Sequence, residues 1–438
     1  MAEINERTSK RGQLMYIIEA AVEYLISILV SGSYLATLTR EIGISDSLTG
    51  ILSSFISLGC LFQLLSMLFY RRRVKGMVVV MSVANQLLFL LLYIIPLLGV
   101  GKQLKVALFV AAIFIAYVIY NFAHPKKINW LMSLVDDDHR GRFTANKEIV
   151  SLIAGIVFSF CMGALVDYYA ARGQIRTAFI LSAVVIFVLM SLHTVNMLMT
   201  VEPDTPIKPK TRMFVNIRDV ISNKSVIKVT VMFVLYYIST YIAVPFYGTY
   251  QINELDFSLT LVSALTVASS LVRILFSRFW GTYADKHSFA SMMEKCMIVL
   301  ALGYLAVALA TPANGIVMFV IYYVCYGIAL GGINSALINL VFDYVAPDKR
   351  ADSLAICQAT SGLVGFLATL LVSPLFYTVQ KAGNRLFGVT VYAQQIVSAG
   401  SVVVVLGAIL FVRVALRSEE NRKQQLCDTC TIQGRNLS

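Results

Sequence analysis

Two acids four residues apart, Glu19 and Glu23, lie inside the first long apolar run of the chain. Two adjacent cations, Lys126 and Lys127, lie inside the fourth. The i, i+4 spacing puts both carboxylates on one helix face. At about 1.5 Å per helical residue, Glu19 and Glu23 fall about 12 and 18 Å beyond Arg11. Counted back from Asp136, Lys126 and Lys127 fall about 15 and 14 Å in, so acids and cations share a depth. An ionisable group so deep costs several kcal/mol unless it is paired or hydrated, which makes each one a candidate for function. A carboxylate whose lysine partner is drawn off by an anionic solute gains a proton, and that exchange couples two flows. A permanent Glu–Lys bridge would instead only tether two helices. Glu19, nearer the polar end, is the acid expected to meet water.

A third deep cation, Arg273, stands about 18 Å from Asp285 in the eighth apolar run. No acid of the second half matches it, because Asp343 is only about 7 Å from Asp348. Glu19, Glu23, Lys126, Lys127 and Arg273 together leave one surplus positive charge, which suits a solute bearing carboxylate or phosphate. The alternative for Arg273 is bonding to backbone carbonyls. Around these charges, Tyr117, Asn121 and His124 share a helix face, with Pro125 able to kink the helix there. Tyr237 and Tyr241 are one turn apart, and Tyr323, Gly327, Gly331 and Asn334 follow helical spacing. These are the candidate binding residues, although tyrosine stripes also serve as packing. His124 reads as a hydrogen-bonded neutral ring and His193 as structural. Lys228 and Arg278 are close enough to helix ends to snorkel.

The elements that must hold these groups follow from composition. Of 438 residues, 58% are hydrophobic and 14% charged, where a soluble domain carries nearer a quarter charged. Mean hydropathy is +0.76, which excludes disorder, collagen and an ordinary soluble enzyme. Apolar runs long enough to span a bilayer fall at about 13–38, 48–70, 77–99, 105–134, 145–169 and 175–199. They resume at about 226–250, 259–281, 289–311, 315–344, 351–379 and 387–415. The fold class expected is an all-α membrane protein of 12 transmembrane helices in two six-helix bundles, 1–200 and 226–416. Between them lies a Pro- and Lys-rich linker, 201–225, with a short surface helix near Met213–Ile221, and after them a polar tail, 417–438.

The net charge of +12 sits mostly in short loops, as a polytopic chain requires to set its orientation, and not in a stripe for nucleic acid. Most loop Lys and Arg fall on the side of the termini, around Arg71–Lys75, 136–147 and the linker. The other side holds Arg40, Lys102, Lys105, Arg172, Arg176, Lys381 and Arg385. Both termini are therefore expected in the cytoplasm. The N-terminus has no small-residue cleavage site before its apolar run, so the first span is expected to stay as an anchor. Cys60, Cys161, Cys296, Cys325 and Cys357 lie in apolar runs as small hydrophobes. Cys427 and Cys430 form one C-x-x-C in the tail, short of the four ligands of a zinc site, so no metal is expected.

The two halves echo one another. A shift of 210 aligns Asp138-His139-Arg140 with Asp348-Lys349-Arg350, Gly155 with Gly365 and Gly173 with Gly383, and a shift of 211 aligns Ser47-Leu48-Thr49 with Ser258-Leu259-Thr260. Parallel repeats of this kind mark a duplicated six-helix unit. Gly281-Thr282-Tyr283-Ala284-Asp285-Lys286 matches the G-x-x-x-D-[RK] loop of the major facilitator superfamily. Ala346-Pro347-Asp348-Lys349-Arg350 and His139-Arg140-Gly141-Arg142 resemble that family's turns between fourth and fifth helices. Over roughly residues 12–416 the chain resembles a bacterial-type member of this family.

The resemblance implies a monomer in the cell (inner) membrane that moves a small-molecule solute by alternating access. It also implies a cavity lined by the first and fourth helices of each half, and a gating set of Gly281, Asp285, Lys286, Arg140 and Arg350. The first-half loop, Phe69-Tyr70-Arg71-Arg72-Arg73-Val74-Lys75-Gly76, departs from the motif by lacking its acid, which leaves the gate to Asp285. Residues 154–163 lack the proline–glycine motif of the family's drug antiporters, and sugar-porter loop signatures are not apparent. No nucleotide loop or catalytic pairing appears, so no cofactor is expected and the proton gradient is the driving force. The leading expectation is proton-coupled symport of a small polar or anionic organic solute. The alternatives are proton-coupled efflux of amphiphilic compounds and a non-transporting receptor, which would need a larger soluble domain.

Overall fold

The computed structural model describes residues 6–68, 73–135, 140–202, 224–345, 350–386 and 389–417. The linker segment 203–223 with its expected surface helix, the tail with Cys427 and Cys430, and the turns 69–72, 136–139 and 346–349 lie outside the described residues, as do the side chains of Arg140 and Arg350. Among the described residues, 11 segments are long and apolar enough to cross a membrane. A further 23-residue apolar helix, Asp46–Leu68, stands at the remaining place in the 12-helix pattern.

In the first half the helices are α1 (Glu6–Leu29), α2 (Gly32–Ile42), α3 (Asp46–Leu68), α4 (Lys75–Ile94), α5 (Lys102–Met132), α6 (Arg140–Ala170) and α7 (Ile175–Met199). In the second they are α8 (Lys224–Tyr241), α9 (Leu259–Lys286), α10 (Phe289–Ala308), α11 (Gly315–Tyr344), α12 (Arg350–Lys381) and α13 (Ala393–Phe411). Short 3-10, α and π turns carry the chain from Val244 to Glu254. Strands β1 (Arg385–Leu386) and β2 (Val389–Thr390) form a small antiparallel hairpin.

These helices are apolar almost all round, as expected where lipid replaces water and each backbone group must be satisfied within its own helix. Val80, Leu275, Leu371 and Val403 are exposed for that reason. The first span is broken: α1 ends at Leu29 and α2 starts at Gly32, whose φ of +53° is a left-handed value natural to glycine.

Contacts divide the chain into two compact units, and the division does not fall at the midpoint. The first unit is Met1–Lys210, Ala243–Val267 and Gly365–Gln394; the second is Thr211–Ile242, Ala268–Val364 and Gln395–Ser438. The cause is visible inside the first unit, at the end of its bundle away from the termini. Asp167 on α6 accepts from Leu259 N (3.0 Å), Thr260 N (2.7 Å) and Thr260 Oγ1 (2.5 Å), so it caps the start of α9. Asp46 accepts from Asn253 (2.7 Å) and Gln380 (2.8 Å), and Ser33 donates to Gln251 (2.8 Å). Phe246 stacks on Phe376 at 3.9 Å. Two stretches of the second half, Ala243–Val267 and Gly365–Gln394, thus belong to the first unit.

The second unit is built on α10 and α11, with Met293, Cys296, Leu300, Phe319, Ile333 and Leu340 buried. Helices α9 and α11 approach closely, because a Cβ at Gly327 would run into the Ser269 carbonyl and one at Gly331 would stand 3.1 Å from the Arg273 carbonyl. Glu294 is held by Arg413 (2.7 Å) and Arg417 (2.6 Å).

Candidate functional site

Helices α1, α5 and α7 assemble one buried ionic cluster in the first unit. Lys127 Nζ stands 2.8 Å from Glu19 Oε1 and also contacts Glu23 Oε2. The i, i+4 spacing on α1 lets both carboxylates reach the single ammonium. His193 on α7 extends the cluster. Gln86 Nε2 on α4 donates to His193 Nδ1 (3.0 Å), so the ring carries its proton on Nε2 and donates it to Glu19 Oε1 (3.3 Å). Two carboxylates, one ammonium and a neutral imidazole carry a net charge of −1. A cluster so placed is held together by its pairing, since an unpaired charge at that depth costs several kcal/mol.

Exposure separates the two acids. The side chains of Glu19 and Lys127 are 2% and 3% exposed, whereas that of Glu23 is 25% exposed. This reverses the expectation that Glu19 is the hydrated acid. Depth along α1 placed Glu19 nearer the polar end, but α5 and α7 cover it from the side. Glu23 faces a cavity of about 320 Å³ lined by α1, α3, α4, α5 and α6. Its aromatic walls are Tyr16, Tyr24, Phe89, Tyr117 and Tyr120, and its polar groups include Glu19, Asn85, Gln86, His124 and Lys147. A second cavity of about 10 Å³, touching Glu23, Gln86, His124 and Lys127, has room for about one water.

The remaining candidates are distributed as follows. Lys126 turns away from the acids, with Nζ over the Phe122 ring at 4.7 Å. Asn121 is buried as a tie between α3 and α5: it accepts from Gln63 (2.9 Å) and donates to the Tyr117 carbonyl (2.9 Å). Tyr117 and His124 line the cavity, Tyr117 edge-on to Phe89 (5.7 Å) and His124 tilted against Tyr120 (5.1 Å). His124 Nδ1 has no hydrogen-bond partner among the described residues, which departs from the expected hydrogen-bonded ring.

Arg273, Tyr237, Tyr241, Tyr323 and Asn334 belong to the second unit. There Tyr237 stacks on Tyr241 (5.6 Å), Tyr323 packs edge-on to Tyr322 (5.2 Å), and Asn334 is exposed. Gly281, Asp285 and Lys286 are exposed in the last turns of α9, so the motif expected as a loop is helical. Sequence reasoning missed Gln86, Tyr120 and Lys147, and it read His193 as structural without its partners. The only trace they leave in the sequence is polar character inside an apolar run.

Long apolar helices with their buried charges paired define a multi-pass membrane protein. The family model described as Major Facilitator Superfamily matches residues 15–369 and 229–426, and the chain belongs to that family. No curated protein matches the sequence. Among solved structures, a mutant form of the nucleoside transporter NupG is similar with a TM-score of 0.72 and 12% identity, over 92% of this chain and 100% of that one. A bacterial homolog of the human lysosomal transporter Spinster, inward-facing and unoccupied, has a TM-score of 0.65 and 12% identity over 95% and 98% of the two chains. A D-xylose–proton symporter has a TM-score of 0.59 and 15% identity over 90% and 96%. At these identities the likeness shows the fold.

Proposed function

We propose that the protein is a proton-coupled secondary transporter of a small polar organic solute, with Glu23 as the group that takes the coupling proton. The observation that carries this reading is the net −1 cluster beside the cavity, with Glu23 as its one charged member markedly open to it. A bare negative charge resists closure into a water-free state by several kcal/mol. A proton on Glu23 leaves the Glu19–Lys127 pair neutral, so the loaded carrier closes more easily than the unloaded one. His193 and Gln86 hold Glu19 in place and keep its charge paired.

Alternating access, with the termini cytoplasmic as the Lys/Arg distribution suggests, would then couple the movement of the proton to that of the solute. The nucleoside and D-xylose transporters of similar fold support a solute of small polar type. The test is Glu23→Gln in proteoliposomes, using a solute found by thermal-shift screening of metabolites. Gradient-driven accumulation should vanish. Accumulation at the wild-type rate would remove Glu23 from the mechanism.

A further inference from the structure

We infer that the first unit's cavity binds a protonated amine carried on an aromatic body, and that this ligand and the proton occupy Glu23 in exchange. The inference rests on the reading of Glu23 as the proton site and adds the sign and shape of the solute. It is opposite in sign to the anion suggested by counting deep charges along the sequence.

Accessibility decides the sign. An anion would need a lysine, but the Lys127 side chain is 3% exposed and contacts two carboxylates, and Lys147 already lies against the Tyr16 ring and hydroxyl. A cation needs a carboxylate, and Glu23 already faces the cavity. The unfilled polar positions on the wall agree. Gln86 is buried and lines the cavity, and its Oε1 has no partner among the described residues, so an acceptor waits there for a donor. His124 Nδ1 is likewise unpartnered on the same wall and suits a donor once the ring proton is on Nε2.

The walls agree as well. Tyr16, Tyr24, Phe89, Tyr117 and Tyr120 line the cavity with aromatic rings, a kind of wall that attracts ammonium groups and stacks on flat bodies. The protein itself lays one ammonium on this wall: Lys147 Nζ stands 4.8 Å from the Tyr16 ring centre and 3.4 Å from its hydroxyl. A volume of about 320 Å³ lies at the lower end of the range of small-molecule pockets, enough for one ring and a short amine arm.

Charge sets the coupling. Glu23 offers the cavity one carboxylate, which holds either a proton or an ammonium but not both. Proton and amine therefore compete, and the transport cycle is an exchange. Glu23 is faced by Lys127, His124 and Tyr120 on α5, by Lys147 on α6 and, through Glu19, by His193 on α7; α4 contributes only the neutral Ser82, Asn85 and Gln86.

The experiment uses three probes of one shape, 2-phenylethylamine, 3-phenylpropionate and 2-phenylethanol, added to the full-length protein in weakly buffered detergent with a pH indicator. The amine should bind and release protons, and its affinity should rise up to about tenfold per pH unit while Glu23 is protonated. Tyr120→Leu should weaken amine binding roughly tenfold and alcohol binding less. The inference is overturned if the amine does not bind, if it binds without moving protons, or if the propionate binds with proton uptake. The underlying proton reading is tested separately on ligand-free protein. There, an acid-induced fluorescence change present in the wild type and absent in Glu23→Gln upholds proton binding at Glu23, whatever the probes do.

Discussion

Helices α1, α4, α5 and α7 bring two carboxylates, an ammonium, an imidazole and an amide into one buried contact chain. Helices α8, α10 and α11 bring rings instead: Tyr237 stacks on Tyr241 (5.6 Å), Tyr304 on Tyr322 (6.4 Å) and Tyr322 on Tyr326 (5.3 Å), and Tyr304 donates to Thr240 (3.3 Å). The second unit does have a buried acid, but Glu294 stands in the second turn of α10 and is neutralised by two arginines at the end of the last span. A duplicated architecture has thus kept its spans while dividing the chemistry. One half holds two acids paired with a single lysine. The other gathers tyrosine rings, with Arg273 as a half-buried cation among its helices. Ionic contacts at this depth are costly to break singly, whereas ring contacts degrade by small increments.

The sharpest way to break this contrast is Lys127→Met. It leaves two carboxylates in one buried site, and the loss should be about 3–5 kcal/mol, read as a collapse of folded yield and thermal stability. Exchanging the pair, Glu23→Lys with Lys127→Glu, should recover folded protein and leave gradient-driven transport at background. Full recovery of transport would make the contact a tether only. Next in size is Asp167→Ala, which removes the cap of α9 and should cost about 1–2 kcal/mol in thermal unfolding. Smallest is Tyr326→Phe in the second unit, expected to shift stability by less than about 0.5 kcal/mol and to leave proton coupling unchanged. A large coupling defect there would erase the division between the halves.

The fold was legible because lipid imposes a simple rule: long apolar helices with charges only where they are paired. The Glu19/Glu23 and Lys127 contact was legible for the same reason, since matching depths along two helices bring few other partners within reach. Lys126 and Lys127 could not be told apart by depth. Adjacent helical residues point about 100° apart, so one meets the acids and the other lies over Phe122. Burial of Glu19 was misjudged because it depends on the flanks of α5 and α7, which a one-dimensional count does not contain. The contacts of His193 and Gln86 stayed hidden because each is an isolated polar residue whose partner lies on another helix. The unit boundary was invisible too, since it arises from contacts such as Asp167 with Leu259 and Thr260.

The interruption of the first span at Gly32 has a mechanical consequence. Val30 N reaches back only to Ser27 and Ser31 N only to Ile28, so the regular i to i−4 ladder lapses at this point. Below it, α1 carries both acids; above it, α2 is anchored through Ser33 and Tyr34. A rod in two pieces passes twist poorly across its joint. On the proton reading proposed above, a change of charge at Glu23 would therefore act on α1 first, while α2 keeps its own anchors on the far side of the joint.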